Sequence, residues 1–317
     1  MFGPRVRAST LTLLGAVALC GPGCDARPAA LTVNNAAALG PTFRVLGDAL
    51  VRQGAVPAFQ QENAPSLEVV RGMTELGKVP DVLAVADVSL LDSLVVPTHS
   101  SWYLVFASNA LVLAYGPNSR FRTDVERVPW YEILQRPGVR VGRSDPRVDP
   151  SGYRALFALQ LAEKHYRRPG LAAALLRSMP EREVRRAEAD LSALVETGDL
   201  DYIWTYRNLA KSHGLQWIEL PPEVNLESAE LADWYSTVSI SVPGPRGTLR
   251  VRGAPILFAL TIPRDAASPA LGVAFIRALL SSPGLQAAKT GGLHLLEIPR
   301  LVGGGAPAEV TEALRRR

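Results

Sequence analysis

The chain has 317 residues, enough for about two domains at ~150 residues each, which excludes a single small module. Apolar residues make up 47% and charged residues 20%, a composition typical of globular proteins rather than disordered or fibrous ones. The formal charge of +4 becomes −1 without the five arginines of the two chain ends, so a nucleic-acid-binding protein is not indicated. Four histidines and two cysteines are too few for a His/Cys zinc cage, so a zinc protein is not indicated either.

The first predicted element is a leader at residues 1–24. Two arginines precede the apolar run 11–19, which has the length of a signal-peptide core and is too short to span a bilayer. Two cysteines follow, and Gly23 supplies the small residue that lipoprotein cleavage requires before Cys24, whereas a leucine precedes Cys20. We therefore expect an exported protein of the periplasm or cell surface, either anchored by a lipid on Cys24 or simply secreted.

Strands and helices then alternate along the chain. In a first part, residues 25–116, apolar runs and amphipathic spacing predict elements at 31–33, 41–53, 66–76, 81–86 and, as two strand-like runs, within 102–115. In a second part, residues 117–230, the predicted elements are 139–142, 153–165, 191–196, 202–204, a short helix before Gly214, and 216–220.

The chain is then predicted to return to the first part. Residues 231–300 are assigned to this hinge return, and residues 301–317 to a tail. The predicted elements of the return are strands at 238–242 and 256–262 and a helix at 270–280. The alternation of strands with helices predicts α/β lobes, each with a sheet flanked by helices, and a cleft between the two lobes.

No catalytic centre is indicated by the residues. The sequence lacks a Gly-x-Ser-x-Gly elbow and a Walker loop, and its four histidines lie in unrelated settings. We therefore expect a protein that is not an enzyme, with no catalytic residues. An exported enzyme that uses Asp149 and Glu223 as acid and base stays an alternative.

Small and polar residues recur where a predicted strand passes into a helix: Ala37, Ala38, Ser66, Asp149, Pro150, Ser151 and Thr205. Ligands of open α/β sheets bind at the carboxyl ends of the strands, where helix N-termini present free N–H groups to anions. Several such ends together predict an oxyanion-binding pocket.

Asp149 is the unusual member of this set. Its carboxylate would repel each unit of ligand negative charge by about 4 kcal/mol at 4 Å and an effective dielectric of 20. Asp149 therefore lies outside the pocket, for example as an N-terminal helix cap, or it is protonated, or it is a ligand of an electrophilic centre. Molybdenum and tungsten are such centres, since they take additional hard oxygen donors, whereas sulfur in sulfate does not.

Four blocks of sequence carry a family resemblance: residues 74–87, 108–115, 142–154 and 206–226. They resemble the archaeal-type molybdate/tungstate-binding proteins of ABC importers, and weaker likeness extends the resemblance over residues 31–283. It implies a two-lobed periplasmic-binding-protein fold of type II, with a mixed, mostly parallel sheet in each lobe and the ligand in the interlobe cleft.

The resemblance also implies a set of ligand contacts. The metal of the oxyanion would be six-coordinate, with Asp149 and Glu223 as its direct carboxylate ligands and Glu219 as a substitute for the latter. Ser66 matches a hydroxyl of the family.

Two positions depart from the family pattern. Ala37 and Ala38 stand in place of a Gly-Ser pair, and Thr205 stands where the family often has a second carboxylate. These departures leave open whether the ligand is four- or six-coordinate.

The function implied is a monomeric extracytoplasmic receptor without a cofactor. It would capture molybdate or tungstate and deliver it to an ABC permease with its ATPase, without binding nucleic acid and touching the membrane only through a lipid anchor. A binder of another tetrahedral oxyanion, such as sulfate, stays an alternative on the same scaffold.

Overall fold

The structure, a computed structural model, describes Gly3 and residues 30–244 and 247–316. The predicted leader, apart from Gly3, and the lipidation site Cys24 therefore lie outside the described residues. The remaining chain forms two lobes, each built on one β-sheet with helices packed against it.

Lobe I begins with alternating strands and helices. They are β1 (Leu31–Ala36), α1 (Gly40–Arg52), β2 (Phe59–Ala64), α2 (Ser66–Leu76), β3 (Val82–Val85), α3 (Val88–Leu90) and β4 (Trp102–Ser108). Strand β1 pairs in parallel with both β2 and β3, so the carboxyl ends of these three strands meet at one edge of the sheet.

Lobe II follows with shorter elements. They are β5 (Leu111–Tyr115), α4 (Trp130–Ile133), β6 (Val141–Ser144), α5 (Pro150–His165), α6 (Leu171–Arg177), β7 (Val184–Arg185), α7 (Ala189–Glu196), β8 (Tyr202–Tyr206), α8 (Arg207–Ser212), β9 (Gln216–Ile218) and α9 (Pro222–Asn225). The strand order is β7-β6-β8-β5-β9, and β6 runs parallel to both of its neighbours.

The last part of the chain completes both lobes. Its elements are α10 (Ala232–Tyr235), β10 (Ser239–Gly244), β11 (Gly247–Arg252), β12 (Leu257–Thr261), α11 (Pro269–Leu280), α12 (Ser282–Thr290), β13 (His294–Gly303) and α13 (Ala308–Arg315). Strands β10 and β11 form an antiparallel hairpin beside α5, while β12 and β13 enter the lobe I sheet, whose order is β13-β4-β12-β3-β1-β2.

The predicted α/β fold with two sheets is confirmed. Both sheets are mixed, because β12 and β13 in lobe I and β5 in lobe II run opposite to the other strands of their sheets. No single helix among the described residues has the length and apolar composition to cross a membrane; α11 and α12 reach both only as a pair bent by 73°.

The crossings between the lobes differ from the predicted boundaries at residues 116 and 231. The first crossing is at Asn109, because β5 pairs with β8 of lobe II rather than continuing β4. The chain returns at Ile256, whose N–H donates to the Leu226 carbonyl at 2.8 Å and whose carbonyl accepts from Asn109 N–H at 3.2 Å. The hairpin before Ile256 packs on lobe II, where Gln160 Nε2 donates to the Ser239 carbonyl at 3.3 Å.

The predicted tail at residues 301–317 also needs correction. Its first residues belong to β13, which pairs with β4 at Leu301, Val302 and Gly303. Helix α13 then packs against α11 and buries Val310 completely. Apolar residues of this segment therefore complete the core of lobe I.

Candidate functional site

The lobe I side of the cleft is formed where β1 and β3 end. The hydroxyl of Ser66, the first residue of α2, accepts a hydrogen bond from Ala86 N–H at 3.1 Å and thereby ties the helix start to the end of β3. Ser66 is buried and does not cap α2 through its side chain. Ala37 and Ala38 lie in the turn after β1, where N–H groups at a helix start lack intrahelical partners.

The lobe II side gathers residues that follow three adjacent parallel strands. Asp149 lies in the segment after β6, Glu188 after β7, and Thr205 near the end of β8. Because β6 pairs in parallel with both neighbours, the ends of the three strands lie at the same edge. The sheet topology therefore explains why two carboxyl groups and a hydroxyl from distant parts of the sequence meet.

Asp149 is the N-cap of α5 and is only 7% exposed. Its Oδ1 accepts from Ser151 N–H and its Oδ2 from Glu188 N–H, both at 3.0 Å. Pro150 is buried in the first turn, and the Ser151 hydroxyl lies 2.5 Å from that of Ser144. Burial raises the pKa of the Asp149 carboxyl above its usual value, and the two N–H bonds oppose this rise.

Glu188, which the sequence analysis did not single out, is the second buried carboxyl group. It is 2% exposed, and its Oε1 accepts from the Thr205 hydroxyl at 2.5 Å and from Tyr206 N–H at 2.6 Å. Burial, reinforced by the charge of Asp149, raises the pKa of Glu188 to about 8. Thr205 is fully buried, so its hydroxyl serves to hold Glu188 in place.

Arg154 supplies the buried positive charge of this region. Its Nη1 donates to the Tyr206 hydroxyl at 2.5 Å, and its Nη2 lies 3.6 Å from Oδ2 of Asp87, which follows β3 in lobe I. The Tyr153 hydroxyl donates to the same Asp87 oxygen. Arg154 also opposes the rise in the pKa values of Asp149 and Glu188. The Arg154 guanidinium thus contacts Asp87 of lobe I and also stabilises the ionised forms of Asp149 and Glu188 in lobe II.

Two further contacts cross the cleft. Arg186 Nη2 of lobe II lies 2.6 Å from Glu68 Oε1 on α2 of lobe I. Asn208 at the start of α8 donates from Nδ2 to the Ala38 carbonyl at 2.6 Å, and its Oδ1 accepts from Asn109 Nδ2 at 2.6 Å. These contacts place the turn at Ala38 and the start of α2 opposite the carboxyl groups of lobe II.

The structure does not bring Glu223 to Asp149. Glu223 is 42% exposed on its side chain, and its Oε2 lies 3.8 Å from Nδ1 of His165, the last residue of α5. Asp149 caps the opposite end of this 16-residue helix, about 24 Å away at 1.5 Å per residue. The two carboxylates therefore cannot bind one metal centre or act as acid and base on one bond.

Glu219, the substitute for Glu223, does not reach the cleft carboxylates either. Both of its oxygens accept from the Arg207 guanidinium, at 2.9 and 2.8 Å, in a half-exposed ion pair that Glu227 shares. Within the described part of the chain, no three His, Cys, Asp or Glu side chains gather in a cluster that could hold a metal ion.

The residues missed by sequence reasoning are Glu68, Asp87, Tyr153, Arg154, Arg186, Glu188 and Tyr206. A signal exists for Asp87, which directly follows the apolar run of β3, and for Tyr153 and Arg154, which lie one turn beyond Asp149. Glu188 carries no such signal, because the strand before it has only two residues and depends on pairing with β6.

The raised pKa of Glu188 predicts a pH-dependent stability of the ligand-free protein. A carboxyl group with a raised pKa stabilises the fold fully below its ordinary value near 4.5 and loses this effect as the pH rises through about 8. The raised pKa of Asp149 makes stability depend on pH in the same direction. The positive charge of Arg154, which also lies 3.6 Å from Asp87, opposes the rise in both pKa values. We expect the free energy of unfolding to fall between pH 5 and pH 8.5, and Glu188→Gln to reduce this fall.

The measurement is urea unfolding of both proteins at pH 5 and pH 8.5 without oxyanions. An identical pH dependence in the wild type and in Glu188→Gln would contradict a protonated, buried Glu188.

The chain is similar to known solute-binding proteins. A model of the bacterial extracellular solute-binding proteins matches residues 31–294. An uncharacterised solute-binding protein of Petrotoga mobilis is 36% identical over 288 residues, which are 90% of each chain. The molybdate/tungstate-binding protein WtpA of Pyrococcus abyssi is 33% identical over 283 residues, covering 81% of this chain and 80% of the relative.

Solved structures show the same fold at low sequence identity. The periplasmic molybdate-binding protein of Azotobacter vinelandii superposes with a TM-score of 0.60 at 16% identity, covering 84% of this chain and all of that protein. This likeness confirms the predicted two-lobed fold of the periplasmic binding proteins.

Proposed function

The chain belongs to the bacterial extracellular solute-binding proteins, and from that premise we propose that it captures molybdate or tungstate in its interlobe cleft and delivers the ion to an ABC permease. The protein acts as a receptor rather than as an enzyme. Its family relatives are solute-binding proteins, and the acid–base alternative loses its support because Asp149 and Glu223 lie at opposite ends of α5.

The observation that carries the proposal is the position of Asp149. A nearly fully buried carboxylate caps the helix that faces the other lobe, in a chain 33% identical to a molybdate/tungstate-binding protein over four-fifths of both lengths. A carboxylate there disfavours sulfate, since its charge repels a dianion and sulfur takes no additional oxygen donor. Molybdenum and tungsten do take one, so the same carboxylate favours their oxyanions.

The remaining contacts come from neutral groups. Helix starts near Ala38 and Ser66 supply N–H groups, and the hydroxyl of Ser66 adds a donor on the lobe I side. The positive charge of Arg154 offsets the charges of Asp149 and Glu188. The dianion is thus held between dipoles of two lobes and one or two carboxylate oxygens.

Isothermal titration of the purified protein with molybdate, tungstate and sulfate tests the proposal. We expect saturable binding of at least one metal oxyanion and much weaker binding of sulfate. Binding of sulfate alone, or of none of the three, would contradict the proposal.

An extracytoplasmic location follows from the family. A lipid anchor on Cys24 is our proposal from the sequence, because Gly23 and the apolar run before it resemble a lipoprotein cleavage region. Mass spectrometry of the mature N-terminus decides it: a diacylated cysteine supports the anchor, and an unmodified N-terminus rules it out.

A further inference from the structure

The cleft contains a second carboxyl group that the proposed function has not yet used. Glu188 follows β7, and its own N–H donates to Asp149 Oδ2 at 3.0 Å. Two carboxyl groups are thus joined through one backbone amide in a region from which water is largely excluded. Each raises the cost of ionising the other, so the pair needs a compensating partner.

The two oxygens of Glu188 differ in their surroundings. Oε1 accepts both the Thr205 hydroxyl and Tyr206 N–H, which fixes the plane and direction of the carboxyl group. Among the residues that the structure describes, none donates a hydrogen bond to Oε2. Oε1 is therefore fixed at the end of β8, whereas the lone pairs of Oε2 remain available to coordinate a metal centre.

Resting on the proposed function, we propose that Glu188 Oε2 is the second carboxylate oxygen that coordinates the metal of the bound oxyanion, beside Asp149. Thr205 is then a positioning residue, which holds the pinned oxygen of Glu188 and does not itself bind the metal. The ion gains two carboxylate oxygens from neighbouring strands, and its coordination number rises from four to six.

The arrangement also explains why the carboxyl group is held so firmly. A flexible, solvated glutamate would lose rotamer freedom on coordination, whereas Glu188 is already fixed by two short hydrogen bonds.

The test compares the wild type with Glu188→Gln and with the double variant Glu188→Ala/Thr205→Glu. Thr205 Oγ1 lies 2.5 Å from Glu188 Oε1, so a glutamate at position 205 extends its carboxylate into the space that Glu188 leaves. Tungstate affinity is measured by titration, and the number of oxygens around tungsten by X-ray absorption. Glu196→Gln, at the exposed far end of α7, is the matched control.

We expect six oxygens around tungsten in the wild type and in Glu196→Gln. Glu188→Gln should lower tungstate affinity by about tenfold to 100-fold, as loss of a metal-site group typically does, and the double variant should regain a six-oxygen shell. Thermal unfolding of each ligand-free variant shows whether it is folded.

Two results would overturn the inference, and they are distinguishable. A wild type that binds no metal oxyanion would remove the proposed function together with it. A wild type that binds tungstate, with unchanged coordination and affinity in Glu188→Gln, would remove only the role of Glu188.

Discussion

Asp149→Asn should lower the affinity for tungstate by about 100-fold, or about 2.7 kcal/mol, and leave the protein folded. Asparagine caps helices about as well as aspartate, so Ser151 N–H and the start of α5 keep an acceptor. The substitution removes the negative oxygen that a metal centre prefers as a hard donor, and with it the acceptor of the hydrogen bond from Glu188 N–H. Because the cap on Ser151 N–H is kept, the loss separates these effects from capping of the helix.

Titration with tungstate and sulfate measures this effect as a ratio. Because the repulsion between Asp149 and any dianion is also removed, sulfate affinity should stay equal or rise, and discrimination against sulfate should shrink. Glu223→Gln is the matched control, since Glu223 lies at the other end of α5. Equal loss of affinity in both variants, or none in Asp149→Asn, would show that Asp149 only caps the helix.

The local part of the fold could be predicted from the sequence because its signals are local. Helix α2 begins at Ser66 and ends at Leu76, as apolar spacing and Gly77 predict, and Gly77 adopts the left-handed conformation (φ 68°) that ends a helix. The predicted strand at 81–86 corresponds to β3, a fully buried strand whose apolar residues are contiguous in sequence; it pairs in parallel with β1 and antiparallel with β12.

The assignment of strands to lobes could not be predicted in the same way. Leu111–Tyr115 is an apolar run with no feature that distinguishes pairing with β4 from pairing with β8. The ladder is decided by the bend at Asn109, where a side-chain bond to Asn208 and a backbone bond to Ile256 fix the crossing. Both partners are more than 90 residues away in sequence.

The candidate site also contains residues that could be predicted from local sequence signals and residues that could not. Asp149, Ser66 and Thr205 could be found because each follows or ends a predicted strand. Glu188 could not, because its position depends on a two-residue strand and on a hydrogen bond from Thr205. The sequence block around Glu223 predicts a pocket position, and only the course of α5 shows that Glu223 lies at the end of the helix opposite Asp149.

The second large effect is expected on the stability of the protein when the buried charge of Arg154 is removed. Arg154→Met should lower the free energy of unfolding by about 3–5 kcal/mol, the usual cost of removing one partner from a buried ion pair. Arg154 is buried, bonds Tyr206, lies 3.6 Å from Asp87 and moderates the charges of Asp149 and Glu188. Methionine fills a similar volume, so the loss reports charge rather than a cavity.

Urea unfolding of the ligand-free protein at pH 8, where the carboxyl groups are most ionised, measures the Arg154→Met effect at its largest. Arg168→Met is the control, because Arg168 is about half exposed and its ion pair with Glu132, at 3.4 Å, should be worth less than about 1 kcal/mol. At pH 5 the deficit of Arg154→Met should shrink, since Glu188, whose pKa is about 8, then holds a proton and needs the guanidinium less. A deficit that equals that of Arg168→Met, or that grows on acidification, would mean that Arg154 does not compensate these carboxylates.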